Sequence, residues 1–427
     1  MLWILYQIAV GLALLAVAPV LLIRRGRHYG PTIAARLGRR QPDWRPSTGP
    51  TLWLHAVSVG EVGVAASFLR SIPEPPPLLV STITPTGQSQ ARQQLAGKAT
   101  ITYLPFDFNF AIRRFFKAYT PGALVLVEGD LWPLILHQAK LRRLPVVVIN
   151  GRISDRNFRR LKRLRKVVSP LLTPVDCFAM QSGQDRERLL SLGVPEEKIV
   201  VTGNLKFDTR TPQRQPELES QIAEAAAGRK VLIAGSTMPS EEAIVLDAFE
   251  PLGAENLAML ILAPRHPERW GEVADLIEKR GFRYRRRSQP ADGGSHPSIL
   301  LLDSLGELAS LYRIATAAFI GGTLVDTGGH NAIEAACCGI PIAVGPSMRN
   351  FPDLSRVFDE ALGWQRVSDA ESLSKCWRRW LEQSEEAEAQ GRRGARLVEL
   401  NRGATQRTLT VLRRFIPDLV GGSRWPS

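Results

Sequence analysis

Short unbroken apolar runs recur along this chain, each followed by small or turn-forming residues and then by a stretch with apolar positions at helical spacing. In the first instance, LWLHAV (52–57) leads through Ser58 and Gly60 to Val62, Val64, Ala65, Phe68 and Leu69. The run reads as a buried strand and the spaced residues as a helix. Similar runs follow at LLVSTIT (78–84), ITYLPF (101–106), ALVLVE (123–128), PVVVIN (145–150), CFAMQ (177–181) and IVVTGN (199–204). A second series contains VLIAGST (231–237), AMLILAPR (258–265), SILLLDS (298–304), TAAFIGGT (316–323) and IPIAVGP (340–346). Alternation of this kind predicts βαβ units around parallel sheets, covered by helices on both faces. The expected architecture is therefore two Rossmann-like, doubly wound α/β domains facing a cleft, at 51–208 and 230–405. Between them, 209–229 reads as a linker because of its Thr, Pro and Gln content, and 406–427 reads as a helical tail.

The amino terminus breaks the pattern. MLWILYQIAVGLALLAVAPVLLI (1–23) carries Gln7 as its one strongly polar side chain, and it is long enough to cross a hydrocarbon core of about 30 Å. It lacks the basic start of a cleavable signal, so it reads as a membrane anchor, either single-pass or, bent at Gly11 and Pro19, monotopic in one leaflet. Arg24, Arg25 and Arg27 follow it, which by the positive-inside rule predicts the rest of the chain on the cytoplasmic side. The segment 24–50 reads as a basic linker, with Arg36, Arg39, Arg40 and Arg45 available to anionic lipid.

Composition narrows the partners. The 427 residues carry a net charge of +14 and are 44% hydrophobic, which implies real cores and an anionic partner. GRISDRNFRRLKRLRKVV (151–168) packs eight Lys and Arg between Arg152 and Lys166, with Leu161, Leu164, Val167 and Val168 interleaved. A basic amphipathic stretch fits an anionic membrane surface or an anionic substrate. No aromatic stacking set or nucleic-acid reader motif accompanies it, so nucleic acid is not the expected partner. Four cysteines without CxxC spacing and six scattered histidines give no metal-ligand pattern, and neither metal nor cofactor is expected.

Candidate chemistry clusters after strand runs, where open α/β sheets bind ligands. Glu61 lies where the first strand turns into a helix. It is a candidate general base, although an acid in a first helical turn also complements the helix dipole. Glu128 and Asp130 follow the strand 123–127, and Lys206 follows 199–204. In the second half, Pro264 and Arg265 end one strand, and Leu305, Gly306 and Glu307 lie beyond another. GGTLVDTGGHNAIEA (321–335) offers glycines for close backbone approach and a helix start at Asn331, Ala332, Ile333, Glu334 and Ala335. Backbone N–H groups there suit an anion, and Glu334 suits ribose hydroxyls or a capping role. Arg265 suits a forked bond to phosphate.

The ordered motifs HAVSVGE (55–61), TPTGQ (84–88), EGDLWP (128–133), NGRIS (150–154), TGNLKFD (202–208), AGST (234–237), APRHPER (263–269), LGEL (305–308), GGTLVDTGGHNAIEA and GP followed by NF (345–351) extend the picture. Together they make the chain similar to the 3-deoxy-D-manno-octulosonic acid (Kdo) transferases. That resemblance implies a GT-B glycosyltransferase that moves Kdo from CMP-Kdo to lipid IVA, the lipid A precursor, at the inner membrane. It implies Glu61 as general base, with Glu128 and Lys206 assisting. CMP would be held by Pro264, Arg265, Leu305 to Glu307 and Asn331 to Ala335. The family usually has Glu, Asn-Pro-Leu-Glu and His where this chain has Asp130, Asn331 to Glu334 (Asn-Ala-Ile-Glu) and Ser347. A membrane-associated GT-B enzyme using a UDP-sugar is the alternative.

Overall fold

The computed structural model describes residues 6–7, 11, 30–39, 44, 51–72, 75–209, 211–289 and 296–417. It divides into two compact units, 1–208 with 402–427, and 209–401.

The first unit is built on seven strands: β1 (Thr51–His55), β2 (Leu78–Thr82), β3 (Thr100–Tyr103), β4 (Pro121–Val127), β5 (Val146–Gly151), β6 (Cys177–Met180) and β7 (Ile199–Val201). They are parallel in the order β3-β2-β1-β4-β5-β6-β7. Side chains of β1 alternate between the two faces. Leu52 and Leu54 join a cluster with Val62, Ala65 and Phe68, while Trp53 joins Phe115, Phe116 and Tyr119 on the other side. A strand buried on both faces needs apolar residues at nearly every position, which is why these runs lack alternation. The order reverses between β1 and β4. A crevice opens at such a switch point, beyond the carboxyl ends of the two strands.

The second unit repeats the plan with β8 (Lys230–Thr237), β9 (Ala258–Pro264), β10 (Tyr284–Arg286), β11 (Ile299–Leu301), β12 (Ala317–Ile320), β13 (Ile342–Val344) and β14 (Gln365–Arg366). Their order is β10-β11-β9-β8-β12-β13-β14, again parallel, with the reversal between β8 and β12. Phe249, Phe319, Trp377 and Trp380 lie in its core.

Several sequence expectations need correction. The edge strands β10 and β14 went unpredicted because YRR and QR are short, polar and only partly buried. The stretch 209–229 contains a helix, Pro216–Ala226, that buries Leu218, Ile222, Ala225 and Ala226 and belongs to the second unit. The helix Ala404–Phe415 is not a separate tail: Leu409, Leu412 and Ile416 pack into the first unit's core beside Leu205. Arg36 is not a lipid-facing cation, since it is buried, donates to Thr32 Oγ1 and to the Ile83 carbonyl, and stacks on Tyr103 and Phe106. The anchor call at 1–23 lies outside the described residues except for Tyr6, Gln7 and Gly11, and Arg24, Arg25, Arg27, Arg40 and Arg45 lie outside them entirely. Among the described residues no helix is long and apolar enough to cross a membrane.

Candidate active site

Glu61 sits in the first turn of the helix Val59–Leu69, which begins earlier than its apolar spacing suggests because Ser58 caps it. Ser58 Oγ accepts from Glu61 N and donates to Glu61 Oε1 at 2.9 Å, and Val57 N donates to Glu61 Oε2 at 2.8 Å. The residue is thus a reciprocal capping partner as well as a candidate base. Its carboxyl is pushed up to about 7, first by burial and further by the nearby Glu128 and Asp130, against the Val57 and Ser58 hydrogen bonds. Burial therefore outweighs both the helix start and the capping bonds, and the group titrates where a general base works best.

Glu128 occupies the matching place after β4, across the switch point. Lys206 Nζ donates to its Oε1 at 3.3 Å, Asn150 Nδ2 at 3.4 Å, and Arg152 Nη2 lies 3.7 Å from Oε2. Glu128 and Asn150 both adopt left-handed backbone, with φ 61° and 53°. That geometry costs of order 1–3 kcal/mol per non-glycine residue and tends to collect at functional sites. Asn150 is fully buried and anchors the arrangement, for its Oδ1 accepts from Leu205 N at 2.9 Å and its carbonyl accepts from Gln181 Nε2. It thereby ties the ends of β4, β5 and β6 to the short helix that carries Lys206. Sequence reasoning assigned no role to Asn150 and counted Arg152 in the basic stretch 152–166, whereas the structure sets it beside Glu128. The available signal was NGRIS following a buried strand, where Asn tolerates the left-handed region better than most residues. Asp130 is raised by burial and by Glu128, so three acids and two cations share this corner.

In the second unit the predicted residues gather around the ends of β9, β11 and β12. Pro264 is buried and Arg265 exposed, its N donating to the Thr237 carbonyl. Leu305 is exposed and Gly306 has φ 85°, while Glu307 is held by Arg287 Nη2 at 3.0 Å and by Ser304 Oγ. Asn331 Oδ1 accepts from Ile333 N at 3.1 Å at the start of the helix Ile333–Cys337. Ala332, Ile333 and Ala335 turn their side chains into the core. Glu334 is raised by burial alone. His330 is pushed down to about 4 by burial and by Arg265 and His266, so it is neutral at physiological pH.

The glycine-rich turn upstream of the helix start at Asn331 has an internal partner for its own N–H groups. Glu241, fully buried, accepts from Gly322 at 2.6 Å, Thr323 at 3.0 Å, Leu324 at 2.9 Å and also Met238 at 3.1 Å. An internal carboxylate thus occupies the anion cradle and shapes the glycine-rich turn. A Cβ on Gly321 would lie 2.3 Å from the Ser236 carbonyl oxygen, so glycine is required there.

Comparison with known proteins identifies the family. A profile described as "3-Deoxy-D-manno-octulosonic-acid transferase (kdotransferase)" matches residues 32–209. A curated 3-deoxy-D-manno-octulosonic acid transferase of Haemophilus influenzae is 34% identical over 372 residues, covering 86% of this chain and 87% of that protein. The chain belongs to the Kdo transferase family. A Kdo transferase of Bordetella pertussis is 32% identical over 426 residues, 95% of this chain and 98% of that one. Among solved structures, the UDP-GlcNAc 2-epimerase of Neisseria meningitidis bound to UDP-GlcNAc matches with TM-score 0.57 at 14% identity, over 86% of this chain and 100% of that chain. At that identity the likeness concerns fold alone, the GT-B type of two parallel-sheet α/β domains.

Of the departures from the usual Kdo transferase motifs, Ser347 has a defined local role. Its Oγ accepts from Gly328 N at 3.1 Å and donates to Asp326 Oδ1 at 3.3 Å, bracing the turn that leads to Asn331.

Proposed function

We propose that the protein is an inverting glycosyltransferase that moves Kdo from CMP-Kdo to lipid IVA. The observation that carries this reading is the Glu61 carboxyl at the switch point, raised to about 7 beside the Glu128–Lys206 pair. Glu61 takes the proton of the acceptor 6′-hydroxyl. The freed oxygen forms a bond to the Kdo anomeric carbon, and the bond from that carbon to the phosphate oxygen breaks on the opposite face. CMP leaves with the electron pair. Lys206 and Arg152, gathered around Glu128, supply positive charge for the Kdo carboxylate or an acceptor phosphate. Arg265 receives the charge developing on the phosphate, and Glu334 accepts hydrogen bonds from the ribose. The donor carries a single phosphodiester and CMP leaves as a phosphate monoester rather than a pyrophosphate, so the scheme uses no metal ion.

The partner surface is an anionic inner membrane, with the catalytic units on its cytoplasmic side. Supporting this are the apolar segment 1–23 and the helix Asp155–Arg163, which buries no residue and carries five Lys and Arg. Leu164 and Val167 stand exposed just beyond it, amid further cations. Such a mixture suits lipid headgroups with shallow apolar insertion.

The test is Glu61→Ala assayed with CMP-Kdo and lipid IVA, with product read by mass spectrometry. Transfer falls by roughly 10²- to 10⁴-fold, while protection by CMP against thermal unfolding persists. Transfer within about tenfold of wild type overturns the base assignment. Protection by UDP in place of CMP favours the UDP-sugar alternative.

A further inference from the structure

Tyr6 and Gln7 bond to residues 107 and 109, and the buried Asp107 in turn holds the start of the helix that follows the loop carrying Glu128 and Asp130. Tyr6 donates its hydroxyl hydrogen to Asp107 Oδ2 at 2.6 Å, and the next residue, Gln7, accepts from Asn109 N through Oε1 at 3.2 Å. Asp107 is 4% exposed. It also accepts from Leu134 N through Oδ2 and from Ile135 N through Oδ1, both at 3.3 Å. These amides open the helix Pro133–Leu141, whose own N-cap position, Trp132, provides no side-chain cap. A helix start lacking a local cap needs acceptors from elsewhere, and here a residue 26 positions upstream of the helix supplies them. Gln138 Nε2 adds a second tie to Asn109 Oδ1 at 2.9 Å.

The loop 128–132 is thus held at both ends. At one end Glu128 and Gly129 take left-handed backbone beside Asn150, and at the other Asp107 grips the helix that follows. Burial and hydrogen bonding act in opposite directions on Asp107. Burial raises its pKa, while the bonds from Tyr6, Leu134 and Ile135 oppose the rise, so the Tyr6 hydroxyl helps keep the cap ionised.

We propose that Asp107 is a positioning residue for the Glu128–Asp130 loop, and that Tyr6 couples the seating of the amino-terminal segment to that loop. Full activity then requires the segment to be docked, beyond any role it has in tethering the chain. The proposal rests on the catalytic reading of Glu61 and Glu128 given above.

The experiment uses full-length protein in detergent micelles with CMP-Kdo and lipid IVA, comparing Tyr6→Phe, Asp107→Asn, the double variant and Glu61→Gln. Phenylalanine keeps the segment apolar, so loss of membrane attachment does not enter the comparison. Each single variant lowers kcat roughly ten- to a hundredfold, the effect of losing a charged hydrogen bond or of a displacement of about 1 Å in a catalytic group. KM for CMP-Kdo is unchanged, and the double variant resembles Asp107→Asn because both changes act through one carboxylate. The acid limb of the kcat–pH profile moves to lower pH, because Glu61 is raised in part by Glu128 and Asp130 and a displaced loop withdraws them. A merely unstable protein would not move that limb. A kcat within about twofold of wild type for Tyr6→Phe overturns the proposal, as does a reduced kcat with an unmoved acid limb where Glu61→Gln is inactive. If Asp107→Asn does not fold, Tyr6→Phe carries the test alone. If Glu61→Gln retains transfer, the base assignment fails instead, while a kcat loss with intact KM in the other variants still upholds the coupling.

Discussion

The Glu61 carboxyl links stability to catalysis, and Glu61→Gln separates its two roles. Its pKa stands at about 7 in the folded protein, well above the 4.5 of an ordinary glutamate. A raised carboxyl pKa means that the native state binds its proton more tightly than the unfolded chain does. The contribution of this group to stability is therefore fully present below pH 4.5 and is lost as pH rises through 7. A shift of this size corresponds to about 3 kcal/mol at 1.36 kcal/mol per unit, of which about 2.5 kcal/mol accrues between pH 5 and pH 8.5. Glutamine preserves the shape and an acceptor for Val57 N but carries no charge, so it escapes this penalty. For a unit of this size, where 1 kcal/mol moves Tm by about 2–4 °C, the Tm of Glu61→Gln gains roughly 5–10 °C on wild type between those two pH values. The assay is thermal unfolding of both proteins across that range, alongside transfer activity. The variant should be dead in transfer and more stable at pH 8.5. If Glu61→Gln is destabilised by the same amount at both pH values, capping is the dominant role of Glu61 and the reasoning fails.

Three further outcomes test the rest of the site. Lys206→Ala should lower kcat by tenfold or more through loss of the charge beside Glu128, and a change confined to the acceptor KM would show a binding role instead. Glu241→Ala leaves four backbone N–H groups without their acceptor, so it should destabilise by about 3 kcal/mol or more and abolish CMP protection in thermal unfolding; retained protection would detach the glycine-rich turn from nucleotide binding. Arg269→Ala strands the buried Glu242, whose Oε1 now accepts from Arg269 Nη1 at 2.6 Å. Its expected cost is about 3–5 kcal/mol, largely relieved in the double variant Arg269→Met/Glu242→Leu, as chemical denaturation would register.

The candidate residues Glu61, Glu128, Arg265 and Glu307 could be nominated from the sequence because each follows a strongly apolar run and open α/β sheets bind ligands at strand ends. The edge strands β10 and β14 were invisible, since a strand that buries little need not be apolar. Glu241 and Asn150 were missed for a different reason. Each is a polar residue whose importance comes from partners far along the chain, 81 positions for Glu241 and Gly322 and 55 for Asn150 and Leu205. No local spacing records such a pairing. Asp107 belongs with them, since nothing around it in sequence points to the helix it caps or to Tyr6.

The sequence by itself determined the alternation of strand and helix, the two parallel sheets and the placing of candidate acids after their strands. It could do so because burial on both faces writes itself into consecutive residues. Only the tertiary structure decided that helix 404–415 returns to the first unit, that an internal carboxylate fills the glycine-rich cradle, and that Glu61 titrates near neutrality. These depend on desolvation and on charges brought together from distant strands, and the energy of a buried ionisable group is set by what surrounds it in space.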